Sequence, residues 1–169
     1  MNVKKILFII PNTSWFGKRY WQSFPYTVGL LSAVMARAGH TVEVLDANLE
    51  DLDEAAVARI VTQKQPTVVA VSAMTVEYRL CVHQTFEVIK AANPDIITVI
   101  GGVYPTLSPE IATRDNNIDY FVIGEGERRF PQLIEAIECG KGFDRIDGLV
   151  YWDRATGRLK NMRQREVWA

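Results

Sequence analysis

The chain has 169 residues, 48% of them hydrophobic and 23% charged, the size and balance of one domain with a single good core. A formal net charge of −1 supplies no basic stripe for a nucleic-acid backbone or an anionic membrane surface, so the expected partner is a small molecule or another protein. No apolar run approaches the ~20 residues of a membrane span, and the N-terminal residues carry no signal-peptide cleavage pattern, so a cytoplasmic location is expected. Two cysteines, Cys81 and Cys139, are too few for a disulfide framework or a cysteine-ligated cluster.

Val3 to Ile10 is nearly all apolar and β-branched, the pattern of a strand buried on both faces of a parallel sheet. Pro11 and Asn12 end it. The connection from Asn12 to Pro25 is long for such a fold and carries Trp15, Phe16, Tyr20, Trp21 and Phe24, aromatics that suit a ligand lid, a domain interface or plain packing on the core. Val28 to Arg37 has helical spacing and stops at Gly39; His40, next in line, reads as a cap for the last helical carbonyls. Thr41 to Leu45 is the second strand, and Asp46 at its end is a weak pointer to a ribose site, since the dinucleotide glycine fingerprint after the first strand is missing.

Leu52 to Gln63 reads as a second helix and Thr67 to Val71 as the third strand. Ser72 and Thr75 follow. Two hydroxyls three apart at a strand end suit either a bound phosphate or amide, or simple turn chemistry. Glu77 to Ala92 forms a third helix, and the apolar run Ile96 to Ile100 then stops at Gly101-Gly102. Paired glycines remove both Cβ atoms, so the backbone there can lie against something bulky. Leu107 to Arg114 reads as a short helix, Asp119 to Ile123 as the fifth strand ending in Gly124-Glu-Gly126, and Phe130 to Glu138 as the last helix. Strands alternating with helices predict an α/β, flavodoxin-like parallel sheet of five strands in the order 2-1-3-4-5, helices on both faces, with a crevice between strands one and three. Ile146 to Trp152 and Arg158 to Met162 flank a turn and predict a C-terminal β-hairpin. The domain limits expected are 1–142 for the α/β unit and 143–169 for the hairpin and a linker.

Taken together, Gly29 to His40, Val71-Ser-Ala-Met-Thr75, Ile100-Gly-Gly-Val-Tyr-Pro-Thr-Leu-Ser-Pro-Glu110, Asp119 to Glu127 and Ile146-Asp-Gly-Leu-Val-Tyr151 resemble the N-terminal cobalamin-binding domain of cobalamin-dependent radical S-adenosylmethionine enzymes. The resemblance implies a base-off cobalamin, its dimethylbenzimidazole tail threaded into the crevice beside strand three. The residues it implies in contact with the cofactor are Asn12, Thr13 and Trp15 after the first strand, and Ser72, Met74 and Thr75 after the third. After the fourth and fifth strands they are Gly101, Gly102, Val103, Tyr104 and Pro105, and Gly124, Glu125 and Gly126. No catalytic or metal-ligating residue is assigned to the chain itself.

Two departures from related patterns matter. The Asp-x-His-x-x-Gly motif that supplies a lower cobalt ligand in other cobalamin domains is absent, so no histidine–cobalt bond is expected. Where relatives often have histidine two positions after the glycine pair, this chain has Tyr104, expected either to face the lower side of the corrin as a shield or to hold a water there, without being a strong metal ligand. The Cys-x-x-x-Cys-x-x-Cys motif of the radical half is also absent. A [4Fe-4S] cluster and S-adenosylmethionine are therefore expected only in a radical domain acting in cis or in trans, and the expected chemistry of the whole is methyl transfer from methylcobalamin to an unreactive carbon. The alternatives are a stand-alone cobalamin carrier or sensor, and a flavodoxin-like domain for a nucleotide. Gly102→Val is expected to abolish cobalamin retention with the fold intact.

Overall fold

A computed structural model describes residues 4–17, 25–153 and 156–161. In chain order the elements are β1 (Lys5–Ile10), α1 (Tyr26–Arg37), β2 (Thr41–Asp46), α2 (Glu54–Lys64), β3 (Val68–Ser72), α3 (Arg79–Ala92) and β4 (Ile97–Gly101). They continue as α4 (Val103–Leu107), α5 (Pro109–Ala112), β5 (Tyr120–Val122), α6 (Gly126–Cys139), β6 (Leu149–Asp153) and β7 (Arg158–Asn161), with short 3-10 turns at Thr13–Phe16, Val76–Tyr78 and Phe143–Arg145.

The sheet runs β2-β1-β3-β4-β5-β6-β7. Its first five strands are parallel, in the 2-1-3-4-5 order that the strand–helix alternation predicts. Alternate residues of each strand face opposite sides. Leu7, Ile9, Val69, Val71, Ile100 and Phe121 meet Val57 and Val61 of α2 and Val82, Phe86 and Ile89 of α3. On the other side Ile6, Phe8, Val68, Ala70, Val99 and Val122 meet Val28, Leu31 and Met35 of α1 and Phe130, Leu133 and Ile134 of α6. Both faces of these strands are thus covered, which is why they read as unbroken apolar runs.

The hairpin joins this sheet. β6 pairs antiparallel with β5, Tyr120 opposite Tyr151 and Val122 opposite Leu149, and Ile146, Leu149 and Val150 are buried in the two cores.

Three local expectations change. The helix expected over Leu107 to Arg114 is the shorter α5, and a separate helix, α4, precedes it from Val103, with Pro105 as its third residue; the missing proline N–H is harmless there because the first amides of a helix have no internal acceptor. His40 does not cap the preceding helix with its side chain: its Nδ1 accepts from the amide of Lys4 at 3.3 Å and lies 3.8 Å from Glu138 Oε1. Asp46 accepts from the amide of Leu49 at 2.8 Å, which is turn chemistry.

Candidate functional site

The carboxyl ends of β1, β3, β4 and β5 converge on one edge of the sheet, and two cavities open there. The first, about 320 Å³, lies between the sheet and helices α1 and α6. Its walls are apolar, from Phe8, Ala70, Val99 and Val122 of the sheet and Leu31 and Phe130 of the helices. Its mouth is ringed by Ser72, Gly101, Gly102, Val103 and the turn Gly124 to Gly126. The second, about 700 Å³, lies over the ends of β1, β2 and β3 and is lined in part by Thr13, Asn48, Met74, Thr75 and Tyr78. Ser72 lines both. The expected crevice is therefore two cavities that share this residue.

The paired glycines serve different ends. Gly102 has φ 94°, and a Cβ placed on it would lie 2.6 Å from the carbonyl oxygen of Ala73. That contact belongs to an interlock: Ala73 N–H donates to Gly101 O at 2.8 Å, and Tyr104 N–H donates to Ala73 O at 3.0 Å. Gly101 lacks a positive φ, and a Cβ there would find nothing nearer than Val122 at 3.7 Å, an ordinary contact. The backbone needs glycine at 102; only the emptiness of the first cavity needs it at 101. The expectation that Gly102→Val spares the fold is accordingly corrected. Even Gly102→Ala should lower stability by about 2 kcal/mol or more, read as a fall in the urea midpoint at constant slope.

Thr106, which the sequence reading passed over, bolts two of the turns together. Its hydroxyl donates to Gly102 O at 2.7 Å and accepts from the amide of Gly124 at 2.8 Å. The only signal in the sequence was a hydroxyl four residues beyond Gly102, the spacing of one helical turn.

Of the remaining expected residues, Met74 and Val103 stand 56% and 49% exposed at the strand ends. Thr75 caps the turn after β3, accepting from the amide of Glu77 at 3.3 Å, and Thr13 donates from its amide and hydroxyl to Asn48 Oδ1. Asn12 and Trp15 line neither cavity. The Asn12 side chain accepts from Ser14 and donates to Asp51 and to Leu52 O, and the Trp15 indole donates to the same Leu52 carbonyl at 2.9 Å. These two pin the loop after β1 to the loop after β2. Tyr20, Trp21 and Phe24 lie outside the described residues.

Pro105 is buried and lines neither cavity. Tyr104 is 1% exposed and turned into the α2–α3 core, so it does not face the crevice. Its hydroxyl lies 2.8 Å from Nε2 of His83. Burial pushes the phenol above its usual range, with nearby Asp115 and Glu110 adding to the shift and Arg79 opposing it, so the group stays protonated. Among the described residues no group of three or more histidine, cysteine or acidic side chains is arranged to hold a metal ion, and no helix is long and apolar enough to cross a membrane.

A family model described as the B12 binding domain matches residues 20–134. The uncharacterized methyltransferase PH0819 of Pyrococcus horikoshii is 32% identical over 166 residues, which are 95% of this chain and 35% of that protein. The anaerobic magnesium-protoporphyrin IX monomethyl ester cyclase of Rubrivivax gelatinosus is 32% identical over 153 residues, 87% of this chain and 27% of the other. The chain thus spans about a third or less of the length of these relatives. Among solved structures, the radical S-adenosylmethionine methyltransferase TsrM from Kitasatospora setae, with cobalamin and a [4Fe-4S] cluster bound, superposes with a TM-score of 0.76 at 20% identity, over 96% of this chain and 29% of that one. The cobalamin-dependent S-adenosylmethionine radical enzyme OxsB with aqua-cobalamin bound gives 0.77 at 19% identity, over 98% of this chain and 23% of that one.

Proposed function

The chain belongs to the B12-binding domain family, and from that premise we propose that it holds a base-off cobalamin at the carboxyl edge of the sheet as one domain of a radical S-adenosylmethionine methyltransferase. Gly101 carries this reading: it is a glycine with no backbone reason to be one, at the mouth of an apolar cavity deep enough for a planar aromatic base. Leu31, Val99, Val122 and Phe130 would enclose that base in the first cavity. Ser72 and Gly124 to Gly126 would meet the polar part of the tail, and Met74 and Val103 would lie against the ring system.

Cobalamin, when bound, supplies a cobalt centre able to carry a methyl group. This chain's own part is to hold the tail, orient the ring and exclude water from its lower side with apolar groups. Among the described residues no histidine lines either cavity; Tyr104 is turned away and its phenol is held protonated. The methyltransferase assignment is supported by the names of the Pyrococcus protein and of TsrM. The cluster and S-adenosylmethionine would belong to a radical domain acting in cis or in trans.

Purified protein incubated with hydroxocobalamin should keep a corrin absorption spectrum through desalting, and a colourless product would overturn the cobalamin reading for this chain. After reduction to Co(II), the electron paramagnetic resonance spectrum should lack nitrogen superhyperfine lines. Their presence would show a nitrogen ligand and refute a base-off, histidine-free site.

A further inference from the structure

Behind the mouth of the first cavity runs a chain of three polar side chains borne on three separate segments. Asp115, after α5, has Oδ2 2.6 Å from Nδ1 of His83 on α3, and Nε2 of His83 lies 2.8 Å from the hydroxyl of Tyr104 on α4. The other oxygen of Asp115 accepts from the amide of Asn117 at 2.9 Å. The two rings meet edge to face, centroids 5.7 Å apart at 89°. A carboxylate only accepts, so Nδ1 carries a hydrogen toward Asp115; in the neutral imidazole Nε2 then accepts and the phenol donates. The phenol is 1% exposed, and His83 is the partner its hydroxyl would lose in His83→Ala.

Tyr104 also belongs to the interlock at the cavity mouth. Its amide donates to Ala73 O, the atom that crowds Gly102. One residue therefore ties the α4 turn forward to the end of β3 through its backbone and backward to α3 through its side chain. The exposed Val103 comes immediately before this doubly tied residue.

We infer that Asp115, His83 and Tyr104 are positioning residues: their relay fixes the α4 turn and thereby sets where Gly102 and Val103 stand beneath the cofactor. The inference rests on the cobalamin reading above. None of the three touches the cofactor, and each acts through the turn it anchors.

Two measurements keep the relay and the cofactor reading apart. In the apo protein, long-range ¹H–¹⁵N correlations should show His83 with hydrogen on Nδ1 and a bare Nε2; the opposite tautomer would overturn the relay whatever the protein binds. In cobalamin-loaded protein, Tyr104→Phe and His83→Ala should each speed cofactor release by about tenfold, the worth of one hydrogen bond lost with a partner left unpaired. The double variant should release no faster than the worse single one, because both changes break the same link. His83→Gln, which can accept from the phenol and donate to Asp115, should return release to within about threefold of wild type. Tyr104→Phe keeps the buried ring, so the test stays readable if His83→Ala does not fold. Additive losses, wild-type release from the single variants, or a glutamine variant no better than alanine would reduce the trio to packing and overturn the inference. Failure of the wild-type protein to retain cobalamin would instead strike the functional reading, with the tautomer still deciding the relay's geometry.

Discussion

Gly101→Val should weaken cobalamin binding by at least about 100-fold while leaving the fold intact. The new Cβ meets nothing closer than 3.7 Å, and a β-branched residue suits the last position of a strand, so the urea-derived stability should stay within about 0.5 kcal/mol of wild type. The two added methyl groups project toward the first cavity, whose mouth Gly101 lines, and block the entry proposed for the cofactor's base. Absorbance titration with hydroxocobalamin, run beside circular dichroism, reads both effects. Unchanged affinity would remove the first cavity from the site. The glycine next door cannot serve as this probe: any side chain at Gly102 strikes the Ala73 backbone, and a loss of binding there would be entangled with a loss of structure.

Gly148→Val should cost about 3 kcal/mol or more of stability. Gly148 has φ 73°, and its Cβ would stand 2.6 Å from Ile123 O and 3.2 Å from Arg129 Nε. Arg129, 8% exposed, donates to Ile123 O at 2.8 Å and to Glu125 O at 3.5 Å, and pairs with Asp147 Oδ2 at 3.5 Å. A buried guanidinium deprived of these partners is an uncompensated charge. The side chain introduced at 148 displaces the arginine and parts β6 from β5 together. A drop in the urea-derived stability below about 1 kcal/mol would mean that the hairpin merely rests against the sheet.

The strands and their order could be read in advance because they follow from local patterns: β-branched apolar runs for doubly covered strands, and helical spacing between them. The glycine pair was legible as a strand end where side chains are excluded, and each glycine has its own close surroundings there. Its division of labour was not, because the carbonyl of Ala73 that crowds Gly102 comes from a different strand end. Tyr104 was misplaced for a local reason. Pro105 reads as a breaker, yet at the third residue of α4 it costs no hydrogen bond, and starting that helix at Val103 swings the tyrosine into the core instead of the crevice. Asn12 and Trp15 were legible as polar and aromatic groups at a strand end, but their partners, Asp51 and Leu52, are brought up only by the β1–β2 pairing. Leu31 and Phe130 were read only as helical apolar residues, since nothing in either helix says that α1 and α6 leave a gap between them.

The sense of the hairpin decides at which rim of the sheet its last strand ends. β6 runs antiparallel to β5, away from the cavities, and β7 returns, bringing Asn161 opposite Val150, which itself pairs with Phe121 near the carboxyl end of β5. β7 itself thus runs back to the rim where the cavities open. Had the chain continued directly from the end of β6, it would depart from the opposite rim and have to travel around a helical layer first. Two antiparallel strands therefore act as a switchback, so that β7 ends at the same rim as the carboxyl ends of the parallel strands and the two cavities.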